Sequence, residues 1–295
     1  MTIRVPPPLI PKHFPEKPTA FSAEKMCQNK GLERNRDPAE SRCSLPGQRA
    51  EKLAELRALL PRLDHVHADA GVLPFGIGEI DARLPGGGLA LDGLHEIAPQ
   101  TIFDNGSALG FLASRLCLRQ AKGTIWLVTS PRGMAGLGRF YGHGFNALGL
   151  DPTGLVVVTA GDETEAAWAM EEILHSGAAA AVAAVTGGGM DAATSRRLQL
   201  AAASAPCPLF LLRPPLAAPS LAAITRWRIG ATAGPRDRFG LLTAWRWHVR
   251  LERSRNGQSG SWLMEYDHAS HRLDLSATLA DPALSRRPEQ HAKVA

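Results

Sequence analysis

Paired cysteines are what this sequence most plainly lacks. Its four cysteines, Cys27, Cys43, Cys117 and Cys207, are scattered with no CxxC spacing, which excludes a zinc-ribbon or small disulfide scaffold and makes a reducing cytoplasm the simplest compartment. Long apolar runs are missing too. The most apolar segment, Ala178 to Val185, is alanine-rich and ends at Gly187, Gly188 and Gly189, well short of the about 20 residues a membrane-spanning helix needs. The opening MTIRVPPPLIPKHFPEK carries charge and proline where a secretory leader needs an unbroken apolar stretch, so no export is expected. Nor does one sign of charge dominate: 33 Lys and Arg stand against 28 Asp and Glu, a net +5 that permits phosphate contacts without requiring them.

What is present suits a folded α/β chain. Hydrophobic residues make up 44% and charged residues 21% of 295 positions, ordinary usage for a globular protein of one large domain with tails. Residues 1–46 are rich in Pro, Lys, Arg and Ser with little apolar periodicity, and read as a disordered arm. Within 47–75, Leu53, Leu56, Leu59 and Leu60 recur at helical spacing until Pro61 stops them, giving a short amphipathic helix and a linker. The core spans 76–275, and 276–295 returns to low complexity as a tail.

Inside the core, the glycine-rich stretch from Gly76 to Leu89 reads as a loop. The run LHEIAP (94–99) reads as a strand, and 106–121 as a helix with Leu109, Leu112, Leu116 and Leu118 on one face. Strand-like runs (TIWLVT, LVVVTA, AAAVAAVTG, PLFLLR) then alternate with helix-like stretches around 140–148, 162–177 and 194–205. That alternation predicts a doubly wound, mostly parallel sheet covered on both faces. From Leu221 onward strands follow one another without helices, predicting antiparallel edge strands near the C-terminus. In LLTAWRWHVRLERSRN, Trp245, Trp247, Val249 and Leu251 alternate with Arg246, His248, Arg250 and Glu252, one buried face against one wet face.

A loop between a strand and a helix is where α/β proteins hold nucleotide phosphates, because backbone N–H groups and the helix N-terminus present positive potential there. The working motif has two glycines, a lysine for the β and γ phosphates and a hydroxyl for magnesium. Aligned on Gly106, this chain has Thr101 at the first glycine, Ser107 at the lysine and Ala108 at the hydroxyl. No lysine occurs between Lys52 and Lys122, and Ser107 reads as a helix cap. The strand AAAVAAVTGGG ends in glycine where a magnesium-orienting aspartate would stand, and Asp191 falls a few residues late. Glu96 and Asp104 are the remaining acids that could activate water, although lone carboxylates at element ends more often cap or face solvent. No catalytic residue is expected and no cofactor, a non-catalytic loop being favoured over weak binding of ATP.

Taken together, EIDARLPGGGLALDGLHEI (79–97), TEAAWAMEEILHSG (164–177), SRRLQLAAASA (195–205), ITRWRIGA (224–231) and GSWLMEYD (260–267) resemble the ImuA family, bacterial proteins related to RecA and to the division inhibitor SulA. The resemblance spans roughly Ala70 to Leu275 and implies a RecA-like fold. It further implies a non-catalytic accessory role in error-prone translesion synthesis during the SOS response. The partners implied are an ImuB-like protein and an error-prone polymerase α subunit, with DNA as a further contact and no membrane. ImuA proteins commonly lack the phosphate-binding lysine, in agreement with Ser107 here. The competing readings are a DNA-dependent ATPase or recombinase of the RecA type, which nucleotide turnover would reveal, and a SulA-like division inhibitor, which would bind the tubulin-like division protein.

The stretch from Leu251 to Asp267 is similar to a basic pair of edge strands in RecA. Arg246, Arg250, Arg253, Arg255 and Asn256 are therefore candidates for contact with DNA phosphate or an acidic partner, and equally suit a solvated hairpin. Trp227, Trp245, Trp247 and Trp262 fall at the same end, and their alternation assigns them to core packing over base stacking. His65 and His67 have no cluster of further ligands nearby and read as loop histidines.

Overall fold

Each apolar run from Leu94 onward becomes a strand, and each helix-periodic stretch a helix, in the computed structural model, which describes residues 2–4, 71–188 and 190–276. Most of the 1–46 arm, residues 47–70 of the helix-and-linker segment with His65 and His67, and the tail from 277 lie outside the described residues, while 72–73 of that segment form a short strand. In chain order the elements are β1 (Thr2–Arg4), β2 (Val72–Leu73), the one-turn helix α1 (Gly78–Asp81), β3 (Leu89–Ala90) and β4 (Leu94–Pro99). Then come α2 (Asn105–Gln120), β5 (Thr124–Thr129), α3 (Pro131–Met134), α4 (Gly142–Ala147), β6 (Leu155–Thr159), α5 (Glu163–Ser176) and β7 (Ala179–Val185). The chain continues through α6 (Ala192–Ala203), β8 (Leu209–Leu212), β9 (Thr225–Thr232), β10 (Trp245–Ser254), β11 (Gly260–Asp267) and β12 (Arg272–Leu275).

Ten strands form one sheet in the order β1-β6-β5-β7-β8-β4-β9-β10-β11-β12. Every neighbouring pair from β1 to β9 runs parallel, and β10, β11 and β12 join antiparallel. Strand β7 shows why both faces are covered. Its Ala181, Ala183 and Val185 pack in one cluster with Phe111 and Leu112 of α2, while Val182 and Ala184 pack in another with Met170 of α5 and Leu198 of α6. Alternate residues point to opposite faces of a strand, so α2 lies on one side and the α5–α6 pair on the other. The α2-side cluster continues through Trp227, Trp247, Val249, Leu251, Met264 and Tyr266 into the antiparallel strands.

Local chemistry places the ends. Asp162 caps α5 by accepting the Thr164 and Glu165 amides, and Gly177 closes it at φ 65°. Asp191 caps α6 through the Thr194 amide. The 76–89 region, expected as connection alone, contains α1 and a 3-10 turn at Pro85–Gly87. The Asp81 carboxylate accepts the Phe75 and Gly76 amides at 2.8 and 3.0 Å and so folds the segment on itself. The consecutive glycines 86–88 are needed for different reasons: Gly86 and Gly87 have φ of 71° and 80°, and a Cβ on Gly88 would lie 2.7 Å from the Leu73 carbonyl. Two further differences concern α2 and the C-terminal edge. Leu118 is exposed, the buried face of α2 being Ala108, Phe111, Leu112, Arg115 and Leu116, and β12 is a strand that its four residues do not announce. Among the described residues no helix is long and apolar enough to cross a membrane.

Candidate functional site

β4 stands inside the sheet between β8 and β9, and the segment leaving its carboxyl end leads directly into α2. In open α/β sheets ligands settle beyond the carboxyl ends of the strands, so this is the place where the chain would hold a phosphate. It holds its own carboxylate instead. Thr101 and Asp104 close a 3-10 turn as a capping box: the Thr101 amide and hydroxyl both donate to Asp104 Oδ2, at 2.8 and 2.6 Å, and the Phe103 amide donates to Thr101 Oγ1 at 3.3 Å. The other oxygen, Asp104 Oδ1, accepts the Ala231 amide of β9 at 2.8 Å.

Burial works to raise the Asp104 pKa, but the Thr101 hydroxyl and the Ala231 and Thr101 amides outweigh it and hold the carboxyl below the ordinary carboxylate range. A full negative charge is thus built into the turn. Gly106 and Ser107 lie in the first turn of α2, and Ala108 is buried beneath them. Ser107 does not cap the helix; Thr101, one turn earlier, does the capping of this approach. A Cβ on Gly106 would meet nothing within 4 Å, so no close backbone approach requires glycine there.

Of the two acids considered as bases, Asp104 is held by Thr101 and Ala231, and Glu96 is occupied as well. Glu96 is buried on β4, with Oε1 3.2 Å from Arg213 and Oε2 3.3 Å from Arg226, and Oε2 also accepts the Ser220 amide at 3.0 Å. It ties β4 to the loop after β8 and to β9, which is structural work. Asp191, late in the sequence, is the α6 cap. Among the described residues no cluster of three or more His, Cys, Asp or Glu side chains is disposed to hold a metal.

The basic candidates separate along β10. Arg246 pairs with Glu265 at 2.8 Å and Arg250 with Glu252 at 3.1 Å, each across the wet face. Arg253 donates to the Leu221 carbonyl at 3.1 Å, and Asn256 makes the β10–β11 turn at φ 59°, with Arg255 beside it. Arg246 and Arg255 are therefore about 30 Å apart along the strand and form no single cluster. Trp227, Trp247 and Trp262 are buried on the α2 side, whereas Trp245, expected beside Trp247 on the buried face, is only half-buried and packs against that cluster.

Beside the capped turn lies a groove of about 460 Å³. Phe103, Gly106 and Ser107 form one wall, Gly234, Leu242 and Ala244 of the β9–β10 connection the other, and Trp245, Arg246 and Trp247 the floor.

With the fold and this site in view, the chain can be set beside known proteins. No protein-family model matches it. It is 35% identical over 231 residues to Protein ImuA of Caulobacter vibrioides strain NA1000 / CB15N, an alignment covering 71% of this chain and 91% of that protein. The same figures hold for Protein ImuA of Caulobacter vibrioides strain ATCC 19089 / CIP 103742 / CB 15. The chain belongs to the ImuA family.

In this ImuA-family chain the feature that loop alignment misses is Asp104, which stands outside the four positions of the phosphate motif and takes the Thr101 and Ala231 amides beside them. The T-x-x-D spacing from Thr101 to Asp104 is a capping-box signature and was the available signal. For the groove no comparable signal exists, because its walls come from Phe103 and Leu242, which only folding brings together.

Proposed function

We propose that the protein is a non-catalytic accessory factor in damage-induced, error-prone translesion DNA synthesis, acting in the cytoplasm with an ImuB-like protein and an error-prone polymerase α subunit. Membership of the ImuA family supports the mutagenesis theme. A RecA-like scaffold is part of the proposal. It is supported by β4 standing mid-sheet, by the loop from its carboxyl end into α2, and by the antiparallel strands appended beyond β9.

The observation that carries the non-catalytic half is the Asp104 carboxylate held at this turn by the Thr101 and Ala231 amides, with Ser107 at the lysine position. A triphosphate brought here meets a fixed negative charge and no ammonium group. Two like charges 4 Å apart repel by about 4 kcal/mol at an effective dielectric constant near 20, enough to reduce binding roughly a thousandfold. Glu96 and Asp191 are held in structural bonds, which takes away two acids that could orient an attacking water.

The decisive measurement is nucleotide binding and hydrolysis by the purified full-length chain with magnesium, in the presence and absence of single-stranded DNA. The expected result is no saturable binding and no turnover above buffer. Turnover that disappears in Ser107→Ala would defeat the non-catalytic reading. In cells, deleting the gene for this chain should lower damage-induced mutation, and deleting the ImuB-like partner as well should add nothing. An additive effect would argue against a shared pathway.

A further inference from the structure

The capped turn has a second consequence, on its outer side. Because Thr101 and Asp104 turn inward to bond each other, the two residues between them are displayed: Phe103 is 88% and Ile102 63% exposed. Across the groove the β9–β10 connection is locked in a similar way. Asp237 Oδ1 accepts the Phe239 and Leu241 amides at 2.8 and 2.9 Å, Gly240 turns at φ 82°, and Phe239, Leu241 and Leu242 are left exposed. Trp245 in the floor is held by stacking on Tyr266 and by the His268 edge 4.2 Å away. Phe103 and Leu242 line a cavity of about 460 Å³, room for a few side chains, and Ile102, Phe239 and Leu241 stand exposed on the same two turns. Exposed apolar side chains beside a cavity mark interaction sites, and preorganised walls lower the entropy cost of binding.

Charge narrows the occupant. Arg236 donates to the Gly240 carbonyl and Arg238 lies over the Phe239 ring at 4.7 Å, and among the described residues neither has a carboxylate within ion-pair distance. The Asp237 carboxylate between them is engaged by backbone amides. Nucleic acid fits less well. The floor tryptophan is already stacked, the Phe239 ring carries Arg238, and the Asp104 charge lies behind the groove where a phosphate backbone would pass.

We propose that this groove is the docking site for a protein segment that presents apolar side chains flanked by carboxylates. The apolar side chains fill the cavity between Phe103, Leu242 and Trp245, and the carboxylates meet Arg236 and Arg238. The proposal rests on the accessory reading above and adds to it the surface through which the partner is held.

The test is titration of the purified ImuB-like protein against the full-length chain, wild type and variants, by calorimetry or anisotropy. Phe103→Asp and the double variant Arg236→Glu with Arg238→Glu should each weaken binding tenfold or more. Leu200→Asp, on exposed α6, should bind within twofold of wild type. All four positions are exposed, and circular dichroism will show that the variants fold. A photo-crosslinking phenylalanine analogue at position 103 should link to a partner peptide containing Asp or Glu beside apolar residues. If wild type binds and the groove variants bind equally well, the groove is excluded while the accessory reading stands. If wild type does not bind the ImuB-like protein at all, both are overturned. Crosslinking of position 103 to a second copy of this chain, or loss of oligonucleotide binding in the same variants with partner binding intact, would assign the groove to a different occupant and overturn the proposal.

Discussion

Asp104 divides its two oxygens between Thr101 and the Ala231 amide, joining the turn before α2 to strand β9. Removing a hydrogen-bonded carboxylate from such a place leaves its donors unpaired, so Asp104→Ala should lose about 1–3 kcal/mol of stability at neutral pH. The folded pKa is below the unfolded value of about 4, so this contribution is present above pH 4 and disappears as pH falls through the folded pKa. Urea unfolding at pH 7 and pH 3 should show the gap between wild type and variant narrowing in acid; a constant gap would mean the carboxylate is not the source. His95 behaves as a base with the opposite charge but the same direction of loss. It is fully buried on β4, and burial pushes its imidazole down to about 4, against a smaller upward pull from the Ala90 carbonyl. A carbonyl can only accept, so Nε2, 2.8 Å from Ala90 O, carries the proton and Nδ1 accepts from Thr225 Oγ1 at 2.8 Å. Thr225 Oγ1 in turn accepts from Trp227 Nε1 at 2.9 Å, and the chain is satisfied with a neutral ring. Unfolded His95 titrates near 6.5, so its stabilising contribution is complete above that pH and is lost as pH falls toward 4, up to about 3 kcal/mol. Stability curves of wild type and His95→Asn between pH 7 and 4 should therefore converge, and parallel curves would count against a buried neutral ring.

At the scale of elements, α2 approaches β10 closely behind the groove. A Cβ on Gly110 would come within 2.9 Å of Trp247 Cζ2, and Trp247 is itself buried and stacked beside Trp245 and Tyr266. Helix propensity alone favours alanine by about 1 kcal/mol. Overpacking costs about 1–3 kcal/mol, so Gly110→Ala should be destabilising by about 1 kcal/mol net in chemical denaturation, and a stabilised variant would show that the helix has slack. The elements themselves were legible to different degrees. Strands such as Leu155–Thr159 and Leu209–Leu212 are short apolar runs bounded by turn residues, and α5 has its acidic cap and its glycine stop in plain view. The one-turn α1 and the four-residue β12 were not, because neither is long enough to establish a period. In α2 the leucines misled only at the far end: Leu112 and Leu116 are buried as expected, Leu118 faces solvent, and Phe111 with the small residues Ala108 and Gly110 completes the face that packs on the sheet. The site was half legible. The missing lysine is visible at Ser107, but the bond from Asp104 to Ala231 joins positions 127 residues apart, and no local pattern encodes it.

For the molecule as a whole, the question is whether the antiparallel strands are an appendage or part of the same cooperative unit. Strand β9 answers from both sides: it pairs in parallel with β4 and antiparallel with β10, so one strand belongs to both halves of the sheet. The α2-side cluster is continuous as well, running from Ile125 and Leu127 of β5 through Phe111 and Trp227 to Met264 and Tyr266 of β11. Charge does not divide the halves either, since Glu96 of β4 reaches Arg226 of β9, and Glu252 of β10 reaches Arg228 of β9. Packed side chains shared across a boundary make independent opening of either half costly, because opening one exposes the apolar face of the other. Backbone amides of β7 and of β9–β10 should therefore exchange with solvent through one global opening and report the same free energy. Gly110→Ala, which perturbs only the α2–β10 crossing, should lower protection in β7 by as much as in β10. Hydrogen exchange followed by mass spectrometry resolves these strands as separate peptides. Protection lowered in β10 but unchanged in β7 would show two units joined at β9, and the groove, which takes its walls from the α2 turn and the β9–β10 connection, would then open and close with the outer one.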